Sequence, residues 1–171
     1  VIDEMPRGRQ EIDTIALPED RRNEVLERIT SKCKDGSQVY WVCPLIDESE
    51  VMECKAATNT YKELCLKLKD INIGLIHGRM KMQEKEKVMN DFRSKKIDLL
   101  VSTTIIEVGL DIPNATVIII ENSERMGLSQ LHQLRGRVGR GEKKSNCILI
   151  YKSGLSEIAK NRIDILRRCR N

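Results

Sequence analysis

The reading of the fold turns on Leu99-Leu-Val-Ser-Thr-Thr-Ile-Ile-Glu-Val-Gly-Leu-Asp-Ile-Pro-Asn-Ala-Thr-Val-Ile-Ile-Ile120. Its ends, Leu99 to Val101 and Val117 to Ile120, are short apolar runs rich in β-branched side chains, the pattern of strands buried on both faces. Between them, Ser102 to Pro113 reads as a strand end, a short helix and a turn. Working outward, similar runs occur at Val39 to Cys43, Ile73 to Ile76 and Cys147 to Tyr151. Helical patterns alternate with them. Arg21 to Lys34 carries Val25, Leu26 and Ile29 on one face and ends at Asp35-Gly36. Tyr61, Leu64, Cys65 and Leu68 fall at i, i+3, i+4 and i+7. Val88, Met89 and Phe92 give a third helix its inner face, and Leu155, Ile158, Ala159 and Leu166 a fourth. Strands alternating with helices imply right-handed crossovers, hence a mostly parallel central sheet with helices on both faces. Residues 1–20 hold Pro6, Gly8 and Pro18 without a sustained period. They read as a strand-poor lead-in or linker to which a preceding domain attaches, with one domain over 21–171.

Composition narrows the function without assigning it. The chain has 171 residues, 40% hydrophobic and 33% charged, the size of one ordinary domain. No apolar run approaches the ~20 residues that cross a bilayer, and no basic start followed by an apolar stretch marks a secretory signal. A cytosolic protein is expected. Thirty Lys and Arg against 26 Asp and Glu leave a charge of +4, which permits a polyanionic partner without demanding one. The aromatic residues Tyr40, Trp41, Tyr61, Phe92 and Tyr151 are too scattered for a base-stacking platform. Six cysteines (33, 43, 54, 65, 147, 169) show no Cys-x-x-Cys and no histidine at metal spacing, so buried reduced thiols are expected rather than a metal site.

In such sheets ligands bind at loops beyond the carboxyl ends of strands, and four loops carry candidate chemistry. No Gly-x-x-x-x-Gly-Lys-Ser/Thr and no Gly-x-Gly-x-x-Gly occurs, so nothing here wraps a triphosphate by itself. The most informative stretch is Gln130-Leu-His-Gln-Leu-Arg-Gly-Arg-Val-Gly-Arg140. On a helix, Arg137 and Arg140 are i, i+3 neighbours, and two guanidinium forks side by side match phosphate oxygens. Gly136 and Gly139 cost a helix ~1 kcal/mol each, which a decorative surface helix has no reason to bear. Such arginines can neutralise charge on a transferring γ-phosphoryl group when another surface holds the nucleotide.

Thr103 and Thr104 fall where a strand ends and a helix begins. Thr103 is placed to meet a phosphate, while Thr104 with Glu107 fits a capping box that needs no ligand. Asp111, after Gly109 and before Pro113, either accepts hydrogen bonds from a ribose or closes a turn. In His77-Gly78-Arg79-Met80, Gly78 permits a tight turn that turns Arg79 toward a backbone phosphate or simply leaves it solvated. His77 has no neighbouring carboxylate or cysteine to orient it and is given no catalytic role. The polar loop Glu121-Asn-Ser-Glu-Arg-Met-Gly127 reads as support for the arginine helix.

Taken in order, Val39-Tyr-Trp-Val-Cys-Pro-Leu-Ile46, His77-Gly78-Arg79-Met80, Ser102-Thr103-Thr104 with Gly109-Leu-Asp111-Ile-Pro, and Gln133-Leu-Arg-Gly-Arg-Val-Gly-Arg140 resemble motif IV, the motif between IV and V, motif V and motif VI of superfamily 2 helicases. The resemblance runs over about residues 36 to 152. Ile120 to Gly141 and Val42-Cys-Pro-Leu-Ile-Asp-Glu-Ser-Glu50 are most similar to the branched-DNA helicases of bacteria, with the transcription-repair coupling factors as near relatives. A module that keeps the fold and only binds DNA or a protein is the alternative of another class.

The resemblance implies a RecA-like three-layer α/β/α domain, the second motor domain of an ATP-dependent helicase. The first motor domain, with its Walker A motif, and a wedge domain would precede Val1, so the chain is expected to be a fragment. It further implies that Arg137 and Arg140 complete the ATP site, that Gln133 lies near the γ-phosphate, and that Gly109 and Asp111 border the nucleotide. Thr103 and Arg79 would touch the DNA backbone. ATP and Mg2+ would be held mainly by the first motor domain, and the partners would be double-stranded and branched DNA.

Overall fold

A computed structural model of the chain describes residues 12–43, 50–103, 115–127, 129, 131, 133, 145–152 and 157–168. In chain order its elements are strand β1 (Ile12–Pro18), a 3-10 turn (Glu19–Arg21), helix α1 (Arg22–Lys34), β2 (Gln38–Cys43), α2 (Glu50–Lys67), β3 (Ile73–Ile76), α3 (Met82–Arg93), β4 (Leu99–Thr103), β5 (Ala115–Ile120), a second 3-10 turn (Ser123–Arg125), β6 (Ser145–Tyr151) and α4 (Glu157–Arg168). The strands form one sheet in the order β1-β6-β5-β2-β4-β3, and every pairing is parallel.

The alternation of side chains along the strands builds two cores. Val39, Trp41 and Cys43 of β2, Leu99 and Val101 of β4, and Ile119 of β5 meet Val25, Leu26 and Ile29 of α1 and Ala57 and Leu64 of α2. Tyr40, Val42, Leu100, Ile118 and Leu149 point the other way, onto Phe92 of α3 and Ile163 of α4. Trp41, Leu99, Leu100 and Ile119 are wholly buried, each contributing ~1.5–3 kcal/mol of hydrophobic stabilisation. The runs are apolar on both faces because both faces are covered. Gln38, at the head of β2, is buried and donates through Nε2 to the carbonyls of Phe92 and Ile97, fastening the α3–β4 connection.

Helix α1 ends where Asp35-Gly36 announced it. Gly36 adopts φ +92°, its N–H donates to Cys33 O (3.0 Å) and that of Ser37 to Lys32 O (3.1 Å), the paired bonds of a Schellman motif. Two expectations are corrected. The stretch expected to be strand-poor, residues 1–20, contains β1, which pairs along its length with β6, Ile12 opposite Ser145 and Pro18 opposite Tyr151. Cys65 is exposed, whereas Cys43, Cys54 and Cys147 are buried. The buried stripe of α2 runs through Ala57, Leu64 and on to Leu68, and Cys65 sits ~100° round the helix from Leu64. Leu155 of the expected last helix and the side chains of Ile158, Ala159 and Leu166 lie outside the described residues; Ile163 supplies the described buried contact of α4. Among the described residues no helix is long and apolar enough to cross a membrane.

Candidate nucleotide and nucleic-acid site

Because every strand runs the same way, all the strand exits open on one edge of the sheet. Ile76 of β3 is opposite Ser102 of β4, so the His77–Met80 turn and Thr103 leave from adjacent strands. Thr103 is the last residue of β4 and lies opposite Cys43 of β2. Its side chain is buried at 3% exposure, and among the described residues its hydroxyl has no hydrogen-bond partner.

Arg79 is exposed. The turn that carries it is closed by its own atoms. Met80 N donates to His77 O (3.2 Å), Arg79 N donates to His77 Nδ1 (3.2 Å), and Lys85 Nζ reaches back to Gly78 O (3.4 Å). His77 thus serves as an acceptor that shapes the turn. Gln133 is helical and exposed, two residues beyond Leu131, which is helical and wholly buried. The structure therefore brings Arg79 and Thr103 to neighbouring strand exits and presents Gln133 to solvent. Gly109, Asp111, Arg137 and Arg140 lie outside the described residues, as do Thr104 and Glu107 of the capping box.

One constellation at this edge was not singled out from the sequence. Glu121, the residue after β5, continues the sheet by donating its N–H to Val42 O (3.0 Å). Its carboxylate contacts Arg22 Nη2 (2.9 Å), and it accepts from the Thr60 hydroxyl (3.4 Å) and the Cys43 thiol (3.7 Å). Arg22, the first residue of α1, bridges onward to Glu63 of α2 (2.8 Å) and lies over the Trp41 ring at 5.4 Å. Burial and then the Glu121 charge push the Cys43 thiol pKa up. The loop that follows is fixed to β6. Ser123 Oγ donates to Ile150 O (3.1 Å), and Glu124 accepts from Lys152 N (3.2 Å). A cleft of about 300 Å³ lies beside this loop, lined by Glu19, Asp20, Arg22, Glu121, Asn122, Ile150 and Tyr151. Among the described residues no three His, Cys, Asp or Glu side chains converge as a metal site. The sequence carried one signal for this hub: a carboxylate placed directly after a fully buried strand needs a partner.

The sheet is all-parallel and covered on both faces, and residues 20–142 match the family described as "Helicase conserved C-terminal domain". The chain belongs to that family. It is 54% identical to the ATP-dependent DNA helicase RecG of Escherichia coli strain K12 over 168 residues, which is 98% of this chain and 24% of that protein. It therefore spans about a quarter of the length of such relatives. The structure of RecG bound to a three-way DNA junction superposes with a TM-score of 0.82 at 43% identity, covering 99% of this chain and 22% of that one. The L327V variant of S. cerevisiae Dbp5 bound to RNA and ADP BeF3 shares the fold alone, with 18% identity and a TM-score of 0.61 over 94% of this chain and 39% of that one. The expected RecA-like α/β/α domain is thus the fold observed.

Proposed function

We propose that this chain is the second motor domain of a RecG-like ATP-dependent DNA helicase that remodels stalled replication forks and Holliday junctions in recombination and repair, acting in the bacterial cytosol. The observation that carries this reading is its likeness, over nearly its whole length, to RecG held on a three-way DNA junction. ATP and Mg2+ would be held mainly by a first motor domain of the same polypeptide, and the metal would supply charge neutralisation at the phosphates. Closure of the two domains brings Arg137 and Arg140 against the γ-phosphoryl group, with Gln133 beside it and Gly109 and Asp111 along the nucleotide. Thr103 and Arg79 grip the DNA backbone from the neighbouring exits of β4 and β3. Hydrolysis lets the domains part, and the gripping loops move along the duplex.

Arg140→Ala in the full-length polypeptide tests the reading. A finger acts on the transition state, so ATP hydrolysis falls by ~10³-fold or more while DNA affinity stays within a few-fold. Normal hydrolysis with weakened DNA binding overturns the motor reading in favour of a binding module. Appreciable ATP turnover by the 171-residue chain alone would overturn it as well, because half of the site is then unnecessary.

A further inference from the structure

We propose that Glu121 and Arg22 form a positioning pair that sets the path from β5 to the helical segment carrying Gln133; this rests on the motor reading above for what Gln133 does. At the carboxylate of Glu121 three elements meet the end of β5: α1 through Arg22, α2 through Thr60 and, by way of Arg22, Glu63, and β2 through Cys43. The Trp41 ring backs the guanidinium, so the arginine cannot swing away without exposing an apolar face.

From this anchor the chain turns sharply, with Asn122 in the left-handed region at φ 50°, ψ 39°. It is then pinned at successive points. Ser123 bonds to Ile150 O, and Met126, which is buried, donates its N–H to Ser123 O (3.1 Å). Leu131 N donates to Gly127 O (3.1 Å) while the Leu131 side chain fills the core beside Met126 and Ile163. Gln133 follows within the next helical turn and faces outward. Among the described residues of this stretch, Glu121, Ser123, Glu124, Met126 and Leu131 each have a named partner, and these fix the start of the path that leads to Gln133. Thr60 and Arg22 hold that exit from the opposite face to Met126 and Leu131. Neither Glu121 nor Arg22 reaches a substrate in this account; they act through the placement of Gln133.

The test uses the full-length polypeptide, comparing wild type with Glu121→Ala, Glu121→Gln and Arg22→Lys. A group misplaced by about an ångström can cost up to ~100-fold in turnover, and Glu121→Ala is expected to lower kcat for DNA-stimulated ATP hydrolysis by ~10-fold or more. KM for ATP and affinity for DNA, both measured per folded molecule below each variant's Tm, stay within ~2-fold, since only the reacting geometry is disturbed. Glu121→Gln, which keeps the side-chain shape and an acceptor for the Thr60 hydroxyl but loses the charge that faces Arg22, recovers part of the loss. Arg22→Lys, with no fork to hold Glu63 and Glu121 together, does not. Amide exchange supplies a readout independent of catalysis: in Glu121→Ala, protection falls at Met126 and Leu131 and is retained across residues 115–120 of β5. If kcat per folded molecule is unchanged, or exchange rises throughout the domain, the pair is a stability element only and the proposal fails. A wild-type polypeptide without DNA-stimulated hydrolysis sinks the motor reading instead, and the exchange pattern still decides the positioning claim.

Discussion

The chain leaves β5 and β3 at the same edge of one sheet, yet it is held there by different means. Beyond β5, side chains from α1, α2 and β2 converge on Glu121, and the next residues are tied to β6. Beyond β3, the His77–Met80 turn is closed by its own backbone, by the His77 ring and by one lysine from the following helix, and Arg79 stands in solvent. One exit is tied to three neighbouring elements; the other is closed locally and presents its arginine to solvent. This division suits a motor in which chemistry needs a preformed geometry and a sliding grip on a phosphate backbone does not.

The contrast can be broken at its strong side by Trp41→Ala. That change empties the core between β2 and the α1–α2 layer and removes the surface behind Arg22, so it should cost ~3–5 kcal/mol in a urea melt of the folded protein. A loss below ~1 kcal/mol would mean that the hub does not depend on its backing.

Alkaline pH probes the same side more gently. Burial and the Glu121 charge hold the Cys43 thiol above its ordinary value near 9, and burial with Asp98 pushes Cys33 up to about 12. In the unfolded chain both thiols ionise first, so the unfolded state binds fewer protons above pH 9 and stability falls as pH rises beyond that point. The slope from Cys43 cannot exceed ~1.4 kcal/mol per pH unit, and Cys43→Ala should flatten the decline between pH 9 and 10.5. A decline that begins below pH 8, or that ignores the substitution, contradicts this assignment.

At the weak side, Arg79→Ala should leave stability within ~0.5 kcal/mol, since nothing in the described structure leans on the guanidinium. For the full-length polypeptide it should weaken binding to duplex DNA at low salt and lower the slope of log affinity against log salt by ~1. A measurable fall in Tm, or an unchanged salt slope, would erase the difference between the two exits.

The sequence was most legible where a segment is buried on both sides. The β-branched runs of β4, β5 and β6 announce themselves because nearly every residue faces a covered layer, and Asp35-Gly36 announces the end of α1 because only glycine takes that backbone conformation cheaply. The edge strand β1 was not legible. Among the described residues Ile12-Asp-Thr-Ile-Ala-Leu-Pro18 pairs on one side only and is half-exposed, so it needs neither a continuous apolar run nor a clean alternation. Cys65 misled because a stripe at helical spacing specifies a face but not how wide the cover over it is. At the candidate site, Arg79 and Thr103 could be placed at strand exits from their positions alone. The Glu121 hub could not, because Arg22, Thr60 and Glu63 reach it from remote parts of the sequence and only the order of the strands brings them together.

The pairing of β1 with β6 also sets a timetable for synthesis. The first strand described in the chain hydrogen-bonds to the last, so a ribosome releases Ile12–Pro18 long before Ser145–Tyr151 exists to receive it. At ~5–20 residues per second the delay is on the order of ten seconds, during which the backbone of β1 lacks its strand partner. The central strands can assemble meanwhile, and the sheet closes at that edge only when its last strand emerges.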